Sequence, residues 1–142
     1  MILLDTNVVS EMMRAVPDPR VVAWLDAQVV ETLHLSTVSL AELLLGVAVL
    51  PDGKRKAQLQ GSLDGALQAL FGERLLTFDA AAAQAYARLI SRARMIGRPI
   101  GPMDGMIGAI AEAHRLIVAS RDVAPFEAAG LTVISPWSAG RN

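Results

Sequence analysis

The sequence predicts an α/β fold: a three-layer α/β/α sandwich around a mostly parallel central sheet. Short apolar runs alternate along the chain with longer segments whose apolar residues recur at helical spacing, a pattern typical of parallel strands joined by helical crossovers. The 142 residues are 53% hydrophobic, which is enough for a substantial core. No repeat, low-complexity tract or linker interrupts the alternation, so we expect a single domain over residues 1–142.

The strands and helices follow from these runs in chain order. The predicted strands are residues 2–4, 33–36, 75–78, 116–120 and 131–135. The predicted helices are residues 8–13, a helix beginning at Pro19, and residues 40–49, 54–70, 80–96 and 102–114. The helix that begins at Pro19 carries Val21, Leu25 and Val29 along one face at helical spacing. Residues 40–49 are apolar at most positions, so we expect that helix to be buried on several sides.

Composition excludes several classes of protein. The absence of cysteine excludes disulfides, thiolate zinc sites and cysteine nucleophiles. The net charge of −1 gives no global basic field, and 4% aromatic residues argue against a base-stacking surface. No apolar run has the roughly 20 residues of a membrane span, and the first residues lack the pattern of a signal peptide. We therefore expect a soluble, cytoplasmic protein that makes no membrane contact.

Four acidic residues are predicted near one edge of the sheet. Asp5 follows the first strand, Glu42 lies in the first turn of the helix after the second strand, and Asp122 lies two residues beyond the fourth strand. The carboxyl ends of parallel strands meet at one edge, so these three acids are expected to lie there. Asp104, in the first turn of the helix 102–114, joins them if that helix starts at the same edge.

Such a cluster favours a divalent cation. Two carboxylates about 4 Å apart repel by roughly 4 kcal/mol at an effective dielectric constant of 20. Protonation or a bound cation is needed to hold them together at neutral pH. Carboxylates without histidine or cysteine suit Mg²⁺ or Mn²⁺ better than zinc. A metal of this kind can activate water and polarise a phosphoryl oxygen, which favours phosphodiester hydrolysis.

Each acid also has a purely structural explanation. Ser39 and Glu42 have the spacing of a capping box. Asp104 is the third residue of a helix that begins with proline, where the helix dipole favours any acid. Asp5 fits a helix cap and Asp122 an ordinary loop residue.

Five segments run in order through nearly the whole chain and read MILLDTNVVSE, STVSLAELLLGV, MDGMIGAIAEAH, IVASRD and ISPW. Together they resemble PIN-domain ribonucleases of the VapC/FitB toxin type. The resemblance implies a metal-dependent endoribonuclease in which Asp5, Glu42, Asp104 and Asp122 form an Mg²⁺ or Mn²⁺ site. It also implies an RNA substrate, a cognate antitoxin that blocks the site and often binds operator DNA, and a homodimer.

The resemblance assigns supporting roles to four more residues. Thr6 and Asn7 could hydrogen-bond the ligand carboxylates or merely cap a helix. Ser120 stands where the family usually has threonine, and could orient Asp122 or hold a strand end. Arg121 could contact phosphate or pair with an acid.

One position departs from the family pattern. Members often carry Thr-Arg-Asn-x-x-Asp-Phe after the fourth strand, with the later aspartate near the metal. Here that later position is Pro125, which has no side-chain oxygen. We therefore expect Asp122, which stands at the Asn position of the pattern, to supply the fourth carboxylate directly or through a metal-bound water.

The remaining charged and aromatic residues are predicted to have more ordinary roles. Glu11 is expected to point away from the site, and the two tryptophans are expected in the core or at a dimer contact. The basic face formed by Arg88, Arg92, Arg94 and Arg98 could steer RNA or could simply be solvated.

Two rival functions are weighed against a nuclease. An acid after the first strand is also typical of haloacid-dehalogenase phosphatases, but their Asp-x-Asp-x-Thr motif needs a second acid where Asn7 stands. A catalytically silent PIN-like module that binds RNA or protein is the second rival, and the presence of all four acids argues against it.

Overall fold

The computed structural model describes residues 1–139; the last three residues of the predicted domain lie outside this described part. Residues 1–139 form five strands, seven α-helices and one short 3-10 helix, Val30–Thr32. The strands are β1 (Ile2–Leu4), β2 (Leu33–Ser36), β3 (Leu75–Leu76), β4 (Ile117–Ala119) and β5 (Val133–Ile134). The helices are α1 (Thr6–Met12), α2 (Pro19–Asp26), α3 (Thr37–Ala48), α4 (Lys54–Leu70), α5 (Ala80–Met95), α6 (Pro102–His114) and α7 (Val123–Ala128).

The strands form one sheet in the order β3-β2-β1-β4-β5, and all of its pairings are parallel. β1 is central, with Ile2 aligned to Leu33 of β2 on one side and to Ile117 of β4 on the other. The chain moves from β1 outward through β2 and β3, then returns to the other side of β1. The direction of winding therefore switches between β1 and β4, where open parallel sheets form a crevice at their carboxyl ends.

Successive side chains of the central strand point to opposite faces of the sheet and pack into two separate hydrophobic cores. Ile2 and Leu4 belong to a core with apolar residues of helices α1 to α4, whereas Leu3 belongs to one formed mainly with α5, α6 and α7. Trp137 is buried in the first core and Trp24 packs against it, as predicted from the sequence. Helices on both faces of a parallel sheet confirm the predicted three-layer α/β/α sandwich.

The start of α3 corrects the sequence prediction. The helix begins at Thr37 rather than at residue 40, because the Ser36 side chain accepts a 2.9 Å hydrogen bond from the backbone N–H of Ser39. Ser36 is therefore the helix cap, and the predicted capping box of Ser39 with Glu42 is wrong. Glu42 lies in the second turn of the helix and not in the first.

Burial also differs from expectation at two places. α2 ends at Asp26, so Val29 lies beyond it and is exposed. One face of α3 is open rather than buried, since Leu45 is 62% exposed and Val49, directly after the helix, is 70% exposed. Helical spacing in the sequence shows which residues share a face, but not whether another element covers that face.

Helix α7 was not predicted. Its third residue, Pro125, is typical of a loop, yet proline is tolerated in the first turn of a helix because the missing N–H has no intrahelical partner there. Phe126 of this helix is fully buried in the second core. Within residues 1–139, no helix combines the length and the apolar character of a membrane-spanning segment.

Candidate active site

The site lies at the carboxyl edge of the sheet, in the crevice between β1 and β4. Asp5 follows β1 directly, and its backbone N–H donates a 2.9 Å hydrogen bond to the Ala119 carbonyl at the end of β4. Its carboxylate caps α1 by accepting a 2.8 Å hydrogen bond from the Thr6 backbone N–H to Oδ1. The residue is only 4% exposed. Asp5 is thus both the predicted helix cap and a buried acid at the centre of the crevice.

Ser120 fixes the second carboxylate oxygen of Asp5. Its hydroxyl donates a 2.7 Å hydrogen bond to Asp5 Oδ2 and accepts one of 3.0 Å from the backbone N–H of Asp122. Ser120 therefore orients Asp5 and holds the chain after β4, but it makes its contact with Asp122 through that residue's backbone and not through its carboxylate.

Asn7 and Thr6 connect the first turn of α1 to its neighbours. Asn7 Oδ1 accepts a 3.2 Å hydrogen bond from the Arg121 backbone N–H, and Asn7 Nδ2 lies 3.4 Å from Asp5 Oδ2. The Thr6 hydroxyl donates to Glu42 Oε1 over 2.7 Å and lies 2.9 Å from Ser39 Oγ. Both side chains therefore contact acids or the loop that carries one.

Asp104 reaches the same crevice because α6 starts at the carboxyl edge. It is the third residue of that helix, whose cap residue Gly101 has no side chain to offer. The next residue is Gly105, where an added Cβ would lie 2.8 Å from Ile90 Cδ1 and 3.0 Å from Tyr86 Cε2 of α5. The Asp-Gly pair thus lets α5 and α6 pack closely while Asp104 faces the pocket.

One pocket of about 480 Å³ collects these groups. It is lined by acids, by small polar residues and by two arginines: Asp5, Thr6, Asn7, Ser10, Glu11, Arg14, Glu42, Asp104 and Arg121. Three of the four predicted acids therefore line a single pocket, although one follows β1 and the other two lie on α3 and α6.

Asp122 occupies a different position. It is exposed, does not line the pocket, and precedes α7 without capping it through its side chain. Its charge nevertheless acts on the cluster, since it contributes to raising the pKa values of both Asp5 and Asp104. That Asp122 supplies a fourth ligand remains a prediction.

The electrostatics of the pocket favour protonation or a cation. Burial, followed by the charges of Asp5, Asp122 and Glu42, raises the pKa of Asp104 from 3.8 to about 6. Burial also raises the pKa of Asp5, although the hydrogen bonds from Ser120 and Thr6 oppose that shift. The protein thus holds these acids in a place where their charged forms are disfavoured in the absence of a counter-ion.

The donor set fits a hard divalent cation that keeps part of its water shell. The pocket supplies carboxylate oxygens, the ligands that Mg²⁺ prefers. Within residues 1–139, however, no three histidine, cysteine, aspartate or glutamate side chains converge closely enough to share one ion directly. Mg²⁺ is held in many sites by one or two carboxylates plus waters, which this arrangement satisfies.

Glu11 was wrongly expected to point away from the site. It is 4% exposed and lines the pocket. The signal in the sequence was its spacing of four residues from Asn7, which places both on one face of α1. Arg14 Nη1 lies 3.3 Å from Glu11 Oε2, and Arg121 Nη2 lies 3.7 Å from the same oxygen.

The basic face predicted on α5 is partly neutralised. Arg92 Nη2 lies 2.5 Å from one oxygen of Glu112, and Arg88 Nη2 lies 3.7 Å from the other. Arg92 also donates to the Ala129 carbonyl. These two arginines hold α5 against α6 and the end of α7.

Comparison with known proteins gives concordant results. Residues 2–131 match the family described as PIN domain. The chain is 50% identical over 137 residues to the VapC ribonuclease Y4jK of Sinorhizobium fredii, covering 96% of this chain and 98% of that protein. It is 47% identical to Toxin FitB of Neisseria gonorrhoeae, covering 96% and 99%.

Solved structures share the fold. The crystal structure of FitAcB from Neisseria gonorrhoeae superposes with a TM-score of 0.91 at 47% identity, covering 96% of this chain and 99% of that one. The structure of VapBC2 from Rickettsia felis, bound to a DNA fragment from its promoter, superposes with a TM-score of 0.80 at 27% identity, covering 95% and 98%.

Proposed function

Because this chain belongs to the PIN domain family, we propose that it is a metal-dependent endoribonuclease, the toxin of a toxin–antitoxin pair, and that its single domain spans the whole chain. The observation that carries this function is the convergence of Asp5, Glu42 and Asp104 from three separate elements on one pocket. The 50% identity over 137 residues to a protein named as a VapC ribonuclease supports the same activity here.

The acids divide into those that line the pocket and one that flanks it. Asp5, Glu42 and Asp104 would hold Mg²⁺ or Mn²⁺ together, with one or two of these carboxylates bound to the ion and the others acting through its waters; Asp122 would contribute through a water. When bound, the ion supplies positive charge that offsets the raised pKa values of the acids and polarises a phosphodiester. The Ser120 hydroxyl donates a hydrogen bond to one oxygen of Asp5, and the Thr6 hydroxyl donates one to Glu42, so both carboxylates are held in position at the pocket. Asn7 holds the Arg121 backbone against α1.

The rival functions receive less support. A phosphatase of the haloacid-dehalogenase type would need a second acid two residues after Asp5, and that position is Asn7. A silent binding module would not need the carboxylates that the pocket keeps. A metal-dependent nuclease therefore explains the three carboxylates in the pocket better than either rival function does.

An antitoxin is the proposed protein partner. VapBC2 of Rickettsia felis was solved on promoter DNA, which supports a partner that also binds operator DNA. A groove of about 700 Å³ between α1, α3 and α4 shares Ser10, Arg14 and Glu42 with the acidic pocket. A segment of the antitoxin lying in this groove would reach the acids and block them.

We also propose a homodimer and a cytoplasmic location. The exposed side chains of Leu44 and Leu45 on α3 and of Val49, the residue that follows this helix, form an apolar stripe that a second copy of the chain would cover. The cytoplasm is where the proposed RNA substrate is found.

The test is cleavage of a panel of single-stranded and looped RNAs. Cleavage is expected with Mg²⁺ or Mn²⁺ and is expected to stop in EDTA. RNA that stays intact with every metal tested would favour the silent module, and cleavage that persists in EDTA would remove the metal from the mechanism.

A further inference from the structure

Two arginines stand on the wall of the acidic pocket, and one buried carboxylate lies between them. Glu11 Oε1 accepts a 2.9 Å hydrogen bond from the Asp18 backbone N–H, and Glu11 Oε2 lies 3.3 Å from Arg14 Nη1 and 3.7 Å from Arg121 Nη2. A carboxylate buried to this extent is costly unless it is paired. Glu11 therefore draws both guanidinium groups to the same side of the pocket.

Arg121 is held in place from three directions. Its backbone N–H donates to Asn7 Oδ1 over 3.2 Å, and its guanidinium carbon lies 4.4 Å from the centre of the Trp137 ring. The third contact is the ion pair with Glu11. Trp137 comes from the ISPW segment near the carboxyl terminus. Through this stacking, that segment helps to position Arg121 at the pocket.

Much of the hydrogen-bonding capacity of Arg121 remains open to a ligand. A guanidinium has five N–H donors, and within residues 1–139 none of those of Arg121 makes a hydrogen bond to another side chain or to a carbonyl. Its side chain is 54% exposed, and that of Arg14 is 63% exposed. Stacking on an aromatic ring covers one face of the guanidinium and leaves its edges free for a planar or tetrahedral anion.

We propose that Arg14 and Arg121 bind backbone phosphates of the RNA beside the acidic pocket. The proposal rests on the proposed function for its substrate. The pocket acids repel phosphate, and the chain as a whole is slightly negative, so RNA binding has to depend on local cations. Arg88 and Arg92 are engaged with Glu112, whereas Arg14 and Arg121 line the pocket itself. The guanidinium groups of both arginines are positioned by Glu11, and Arg121 is also held by Asn7 and Trp137.

The test is the salt dependence of RNA binding in EDTA, so that no cleavage is required. A fluorescent single-stranded oligonucleotide is titrated by anisotropy over a series of salt concentrations with wild type, Arg14→Gln, Arg121→Gln and Arg121→Lys. Each lost phosphate contact reduces the slope of log K against log salt by about 0.7 for single strands. Both glutamine variants are expected to show this reduction with a several-fold weaker affinity, and Arg121→Lys is expected to keep the wild-type slope.

Arg115→Gln is the matched control. Arg115 is exposed at the end of α6, the opposite end from Asp104, and its removal is expected to leave the slope unchanged.

Thermal melting of each variant shows that it is folded; Arg14 is on the surface and its variant is expected to fold even if Arg121→Gln does not. Unchanged slopes in folded Arg14→Gln and Arg121→Gln, or a wild type with no salt-dependent RNA binding, would overturn the proposal. RNA cleavage with Mg²⁺ is measured separately and tests the nuclease function. If cleavage is absent, the salt dependence of RNA binding in EDTA still tests the role of the two arginines.

Discussion

The Ser120 hydroxyl donates a 2.7 Å hydrogen bond to Asp5 Oδ2 across 115 residues of chain. The bond joins the end of β4 to the end of β1 at the point where the sheet changes direction. Both residues are buried, so the bond is shielded from water. It stabilises the ionised form of an acid whose burial works against that form.

Loss of this hydroxyl should weaken the site. In Ser120→Ala the pKa of Asp5 should rise further, because a hydrogen bond to the charged form is removed while burial remains. Removing a group that supports a metal ligand typically costs about 10- to 100-fold in metal affinity or activity. The measurement is the pH profile of RNA cleavage, whose acid limb should move to higher pH. Ser120→Thr keeps the hydroxyl and serves as the control; an unmoved acid limb in Ser120→Ala would contradict the role given to Ser120.

The apoprotein should lose stability as the pH rises through the folded-state pKa of Asp104. The pKa of this acid is about 6 in the folded protein and 3.8 in the unfolded chain, so the folded state binds more protons between these values. The free energy of unfolding therefore falls as the pH rises from about 4 to about 7 and then levels off. The raised pKa of Asp5 acts in the same direction.

Thermal unfolding in EDTA over this pH range checks the sign. The midpoint should fall with pH in the wild type and fall less in Asp104→Asn, whose side chain does not ionise. Near pH 7 without metal, Asp104→Asn should be as stable as the wild type or more stable, because one of several clustered charges is gone. A large loss of stability in this variant would instead support a purely structural, dipole-related role for Asp104.

Asp122 should matter less than the acids that line the pocket. Asp122→Asn is expected to weaken metal affinity and to slow cleavage by about tenfold without abolishing it, as is typical of a residue acting through a bound water. Cleavage rates are compared at limiting Mg²⁺, where a loss of affinity is visible. A wild-type rate under these conditions would reduce the site to three acids and make Asp122 a loop residue.

The exposed stripe on α3 should mediate dimer formation. Leu45→Glu introduces a charge on a face that a second copy is proposed to bury, and should convert the dimer to a monomer at micromolar concentration. Light scattering coupled to gel filtration gives the mass. Met95→Glu, at an exposed apolar position at the end of α5, is the matched control and should stay dimeric. A wild type that is itself monomeric would rule out the dimer.

The ends of the strands can be recognised in the sequence where an apolar run stops, so the acids that follow β1 and β4 could be predicted. Asp5 and Asp122 could be placed at the carboxyl edge by counting from apolar runs. Glu42 was placed one turn too early because the cap is Ser36, a residue that also completes β2. The spacing of Glu11 from Asn7 shows that the two share a helix face, but not that Glu11 contacts Arg121. Trp137 could not be assigned to the site, since its contact with Arg121 depends on the fold.

Asp104 shows where a local pattern needs tertiary information. Its position in the first turn of α6 is visible in the sequence, but the edge of the sheet at which α6 begins depends on how α5 packs against it. Gly105 permits that packing by leaving room for Ile90. The open face of α3 is a similar case, because only the fold shows which apolar residues other elements leave uncovered.

RNA cleavage by Asp5→Asn and Asp104→Asn, measured beside the wild type in saturating Mg²⁺, tests the central assignment most directly. Asp64→Asn, which changes an exposed acid on α4, is the matched control and should cleave at the wild-type rate. We predict that both pocket variants remain folded and cleave no RNA, because each loses a carboxylate that holds the metal. Undiminished cleavage by either folded variant would contradict the assignment.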